Sequence, residues 1–185
     1  MIRLDPARCC LLVVDVQERL ATVMHAASMQ RLVANTLILL EAANELGVRV
    51  LASEQYPKGL GPTVAPIAER LEAMGVTPYD KLDFDACGEP RIARALADAD
   101  PRAVIVVGME AHICVFQTAR ELVRRGYPTF VVDDAVASRT EDNRLAGLSL
   151  CERAGAVRTV TEAVAFDWVG RAGTPAFKVV SKAVK

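Results

Sequence analysis

The chain is poor in the residues and runs that mark several large protein classes. It has two histidines, His25 and His112, and no C-x-x-C pair among its five cysteines, which argues against a zinc site built from Cys and His. Those thiols (Cys9, Cys10, Cys87, Cys114 and Cys151) are odd in number and irregular in spacing, a poor disulfide framework. No apolar run approaches the roughly 20 residues of a transmembrane helix, so no membrane partner is expected. Basic residues number 22 against 23 acidic ones, which leaves no excess of positive charge for a nucleic-acid partner. The start, Met1-Ile2-Arg3-Leu4-Asp5-Pro6, carries an acid and a proline too early for a secretory signal, and the expected location is the cytoplasm. No G-x-G-x-x-G follows the first apolar run, which counts against a dinucleotide-binding protein. Gly59-Leu60-Gly61 lacks a following Lys-Ser or Lys-Thr and is no P-loop.

What is present is an alternation of short β-like runs with helical ones, with no internal repeat and no linker. Just over half of the 185 residues are hydrophobic, enough for one domain, residues 1–185, with a substantial core. Cys9-Cys10-Leu11-Leu12-Val13-Val14 is continuously apolar up to Asp15, the pattern of a strand buried on both faces. Ser28 and Gly47 bracket a long helical run. Further strands are expected at Val48 to Ala52, Thr77 to Leu82, Ala103 to Gly108, Pro128 to Asp133 and Ala156 to Val160. Helices are expected at 63–74, 90–96, 112–125 and 141–154, with two more pieces at the end. Such alternation implies a parallel sheet with helices on both faces and right-handed crossovers. Ligands of such sheets sit at the carboxyl ends of the strands, where the strand order reverses.

Three residues fall at that edge. Asp15 ends the first strand, where a carboxylate reads equally as a turn or helix-capping aspartate. Lys81 ends the third strand, where an ordinary reading is a solvated surface lysine. Cys114 lies in Gly108-Met109-Glu110-Ala111-His112-Ile113-Cys114, between a strand end and a helix start. The first turn of a helix has unpaired N–H groups and the positive end of the dipole, which favour the nucleophilic thiolate. The alternative is a buried packing thiol, the reading adopted for Cys9, Cys10 and Cys151. Cys87 follows Lys81 on an exposed-looking loop. Together the three make a plausible covalent site: the thiolate attacks, the aspartate moves the proton, and the lysine's charge favours the thiolate. His112 stands two residues before the thiol and reads as a lining or structural residue.

Four ordered segments resemble the isochorismatase-like hydrolases: Val13-Val14-Asp15-Val16-Gln17-Glu18, Glu54-Gln55-Tyr56-Pro57-Lys58-Gly59-Leu60-Gly61-Pro62-Thr63, Lys81-Leu82-Asp83-Phe84, and Gly108 to Cys114. The second of these, with the tail Gly173-Thr174-Pro175-Ala176-Phe177-Lys178, resembles the subgroup of isochorismatase domain-containing proteins. The resemblance implies a three-layer α/β/α fold with a six-stranded parallel sheet in the order 3-2-1-4-5-6. It also implies a catalytic triad of Asp15, Lys81 and Cys114, a thioester on Cys114 formed from a small amide-type substrate, and a homo-oligomer. A non-proline cis peptide is implied at Met109–Glu110, turning the Glu110 N–H into an oxyanion hole beside that of Cys114, with the Glu110 side chain incidental. Gln17, Glu54, Gln55, Tyr56, Phe84 and His112 are the expected pocket residues. Nicotinamidases of this family carry an Asp-x-His metal motif after the second strand. Here that stretch is Ser53-Glu54-Gln55-Tyr56-Pro57, so neither metal nor other cofactor is expected. Cleavage of an isochorismate-like ether with Asp15 as proton donor, and a non-catalytic binding protein of the same fold, are the competing readings.

Overall fold

The computed structural model describes residues 2–184. Six strands, β1 (Cys9–Val14), β2 (Arg49–Gln55), β3 (Tyr79–Lys81), β4 (Ala103–Met109), β5 (Thr129–Ala137) and β6 (Val157–Thr159), form one sheet in the order β3-β2-β1-β4-β5-β6. Every pairing is parallel. The helices are α1 (Glu18–Ala21), α2 (Ala26–Leu46), α3 (Pro57–Leu60), α4 (Ala65–Ala73), α5 (Pro90–Ala99), α6 (Phe116–Arg124), α7 (Glu141–Arg153), α8 (Thr161–Val169) and α9 (Pro175–Ala183). This is the expected three-layer α/β/α architecture.

The alternation of side chains along each strand divides the core in two. Leu11, Val13, Ile105, Val107 and Val132 face a layer containing Leu32, Leu39 and Leu40 of α2, Ile67 of α4 and Trp168 of α8. Cys10, Leu12, Val14, Val104 and Val106 face the other layer, with Ile92 and Leu96 of α5, Leu122 of α6 and Leu148 of α7. All residues of β1 and β4 are buried, which is why both read as unbroken apolar runs.

Several boundaries differ from expectation. Helix α2 starts at Ala26, two residues before Ser28, with His25 at its cap and no side-chain bond there; Ala26 and Ala27 are good helix formers and need no cap to begin. Strand β2 runs on through Glu54 and Gln55, and Pro57–Leu60 closes into a helical turn where a loop was expected. Strand β5 reaches Ala137 because it bulges: its register against β4 slips from Val106↔Val131 to Gly108↔Val136. Asp133 and Asp134, inside that bulge, are tied down by Arg144 and Arg158 and by Thr161 respectively.

Candidate active site

The reversal of strand order lies between β1 and β4, each followed by a connection to an opposite side of the sheet. Val14 stands opposite Ser53 of β2 and Gly108 of β4. Gly108 has φ +130°, and a Cβ there would lie 2.0 Å from the Val14 carbonyl oxygen. Glycine is therefore what allows the two strand ends to approach. The next residue, Asp15, takes φ +53°, uncommon for a non-glycine residue though better tolerated by Asp than by most.

The Asp15 carboxylate is fully buried and both oxygens are engaged. Oδ1 accepts from the Ser53 hydroxyl at 2.7 Å, and Oδ2 accepts from Lys81 Nζ at 2.7 Å. The Cys114 thiol is buried near the same carboxylate, and the two influence each other's protonation. Burial pushes the Asp15 carboxyl above its ordinary range, against the pull of Lys81 and Ser53. Lys81 is also buried, and its ammonium is fully provided for. Besides Asp15 it donates to Gln55 Oε1 at 2.7 Å and to the carbonyls of Asp83 and Phe84 at 3.0 and 3.1 Å. A buried ammonium persists only when paired and hydrogen-bonded in this way. The ordinary reading of Lys81 as a solvated surface lysine is thereby excluded.

The nucleophile candidate sits on a wider turn than sequence suggests. Ala111–Val115 is a π-type turn, and α6 begins only at Phe116. The Met109–Glu110 peptide is cis. Ile113 and Val115 N–H both donate to the Glu110 carbonyl, at 3.0 and 3.2 Å. These two N–H groups are thus committed locally. The Cys114 thiol is pushed well above its ordinary range, first by burial and then by the Asp15 charge, with Lys81 and the backbone N–H of Glu110 acting in the opposite sense. The direction is that of a resting thiol, against the expectation of a preformed thiolate. The reason is that Lys81 is already neutralised by Asp15, while the turn's N–H groups are largely spent. Cys87, expected on an exposed loop, is buried, and burial raises its thiol to about 12.

The expected pocket residues separate into two groups. Gln17 is buried with both amide atoms used: Nε2 donates to the carbonyls of Gln55 and Gly61, and Oε1 accepts from Gln55 N–H. Gln55 donates to Leu82 O and accepts from Lys81. Glu54 Oε1 accepts from the N–H and hydroxyl of Thr63. The side-chain polar atoms of Gln17 and Gln55 are thus occupied by the chain itself, which makes these two scaffold rather than lining, whereas Glu54 uses one oxygen on Thr63 and lines a separate cleft with Pro62 and Thr63. Tyr56 and Phe84 are exposed, as is Leu82, and a cleft of about 480 Å³ beside Lys81 is lined in part by Tyr56, Leu82 and Asp83. His112 is half-buried and its Nδ1 lies 3.0 Å from Ser138 Oγ. The Glu110 side chain is not incidental. It is buried and bound at both oxygens by Arg139, at 2.8 and 3.0 Å.

Sequence reasoning missed Ser53, Ser138 and Arg139. Ser53 could have been found from strand register, two residues before Gln55 on a strand adjoining β1. Nothing in the spacing of Ser138 and Arg139 ties them to a turn nearly thirty residues earlier.

Among the described residues, no group of three His, Cys, Asp or Glu side chains is placed to hold a metal ion, and no helix is long and apolar enough to cross a membrane. The isochorismatase domain model matches residues 9–163. Isochorismatase domain-containing protein 2 of Bos taurus is 37% identical over 185 residues, covering 99% of this chain and 86% of that protein. The chain belongs to the isochorismatase family of hydrolases. Its relatives in that family carry diverse names. The secreted isochorismatase effector Isc1 of Phytophthora sojae is 37% identical over 193 residues, covering 99% of this chain and 87% of that protein. A solved structure, that of the MAR1 ribonuclease from Caenorhabditis elegans, matches with a TM-score of 0.91 at 37% identity, covering 99% of this chain and 92% of that one.

Proposed function

We propose that this isochorismatase-family chain is a cysteine-dependent hydrolase of a small amide or related C–N bond. The observation that supports the reading is the convergence of three groups, remote in sequence, at the switch point of the sheet: the buried Cys114 thiol beside the Asp15 carboxylate, and that carboxylate on Lys81. As the sulfur attacks the substrate carbonyl carbon, its proton passes to Asp15. The carboxylate is then neutral, and the Lys81 charge is released to stabilise the sulfur and the developing oxyanion. The tetrahedral adduct collapses, the C–N bond breaks, and the amine leaves with the proton from Asp15. Water, deprotonated by Asp15, attacks the thioester, and the acid departs as the thiol is restored. The backbone N–H of Glu110, in the turn before Cys114, serves as one oxyanion donor, with that of Cys114 as the second. Tyr56, Leu82 and Phe84 form the apolar rim that receives the substrate.

On this reading the chain works as one domain over residues 1–185, in the cytoplasm, without metal or other cofactor, and as a homo-oligomer of two or more copies. The experiment is a screen of small amides against wild type and Cys114→Ala, with a single-stranded RNA included because of the name carried by the Caenorhabditis elegans relative. The reading expects amine release by wild type alone and no RNA cleavage. RNA cleavage that survives Cys114→Ala would replace it.

A further inference from the structure

The connection that follows β5 grips the turn carrying Cys114 at three points. Arg139 holds both oxygens of the Glu110 carboxylate, at 2.8 and 3.0 Å. Ser138 Oγ lies 3.0 Å from His112 Nδ1. Gly147, on α7, presses so closely on the turn that a Cβ there would stand 2.4 Å from the Ala111 carbonyl carbon and 2.5 Å from the His112 nitrogen. The consequence falls on one peptide unit. Glu110 receives Ile113 and Val115 N–H on its carbonyl, on either side of Cys114, and has its side chain locked by Arg139. A charge-assisted fork between guanidinium and carboxylate fixes orientation as well as distance. The Arg139 side chain is 55% exposed while that of Glu110 is 5% exposed. An exposed pair contributes little to stability, yet here the anchored end lies inside the site.

We infer that Arg139 is a positioning residue, which through the Glu110 carboxylate fixes the Glu110 peptide unit and with it the turn that carries Cys114. Its importance for turnover rests on the hydrolase reading above; its effect on the thiol does not. Asp15 from β1 and Lys81 from β3 are the charged groups that face this thiol, and neither touches Arg139 in the contacts described. Removing Arg139 therefore loosens the turn and leaves the Asp15 and Lys81 charges in place.

The test compares wild type, Arg139→Ala, Arg139→Lys and Glu110→Gln, with Arg124→Ala, an exposed arginine paired to Glu121 on α6, as control. The rate of Cys114 alkylation by iodoacetamide is followed across alkaline pH by peptide mapping, and amide hydrogen exchange is followed in the 109–112 segment. Arg139→Ala should displace the alkylation profile to higher pH and speed exchange in the segment. Arg139→Lys, which keeps a charge but not the fork, should recover part of both, and Arg124→Ala should match wild type. With a substrate in hand, kcat should fall roughly tenfold with KM little changed, less than the ~10²–10³ lost when an oxyanion donor is removed outright. Arg139→Ala profiles and exchange that superimpose on wild type would overturn the inference. Should Cys114→Ser keep full turnover, the hydrolase reading falls, while a displaced alkylation profile in Arg139→Ala still supports the positioning role.

Discussion

At the scale of single residues, the buried pair of Asp15 and Lys81 makes an asymmetric prediction. Asp15→Asn leaves an ammonium, 1% exposed at its side chain, without its counter-charge, and stripping one partner from a buried pair costs about 3–5 kcal/mol. Lys81→Met leaves a carboxyl that burial already pushes toward its neutral form, so it can take up a proton and should cost less. Urea denaturation near neutral pH checks the order, and a more stable Asp15→Asn would contradict it. Both variants should lose most of the turnover, since groups acting as a unit are strongly non-additive. The pH dependence has a definite sign. Asp15 must be ionised to accept the thiol proton, and its folded pKa is raised. The acid limb of kcat/KM should therefore lie above the usual carboxylate value of about 4, with activity lost as pH falls through it. A limb at or below that value would mean that another group sets it.

At the scale of elements, glycines decide how closely the site's parts approach. Gly147→Ala would ordinarily favour a helix by about 1 kcal/mol. Here the added methyl meets backbone of the Ala111–His112 turn, so α7 must move away. The expected outcome is a folded protein, by circular dichroism, with turnover reduced at least tenfold; undiminished turnover would show that the buttress is unnecessary. This close approach also marks where the sequence stops being legible. Strands β1 and β4 were readable because burial on both faces imposes unbroken apolar runs. Strand β3 was placed too long, at Thr77 to Leu82 against Tyr79–Lys81, because an edge strand pairs on one side and carries little pattern. The extension of β5 arises from a bulge, whose extra residues pair with nothing on β4 and leave no periodic signal. Asp15, Lys81 and Cys114 could be picked out because each ends a strand or starts a helix at the reactive edge. The protonation of Cys114 could not, because it depends on which N–H groups the π-type turn consumes and on Lys81 being already paired. Gln17 and Gln55 read as lining but serve as scaffold for a related reason: a polar side chain near a site looks the same in sequence whether it faces a ligand or its own backbone.

At the scale of the whole molecule, the sheet reversal collects groups from β1, β3 and the turn after β4 into one buried cluster, while Tyr56, Leu82 and Phe84 remain exposed beside it. On the proposed mechanism nucleophile, base and charge all come from the chain, so chelator should leave turnover unchanged; loss of activity with EDTA and recovery on adding a divalent ion would require a different chemistry. Light scattering on the eluting peak should report a dimer or larger assembly, and a monomer at micromolar concentration would remove oligomerisation from the proposal. The central claim is the covalent intermediate on Cys114, and rapid-quench intact mass spectrometry with an activated small amide, such as an acyl p-nitroanilide, tests it most directly. The account predicts that wild type gains the mass of the acyl group as p-nitroaniline is released, that the adduct maps to Cys114, and that Cys114→Ala shows neither event. Release of p-nitroaniline by Cys114→Ala at the wild-type rate, with no acyl mass on either protein, would contradict it.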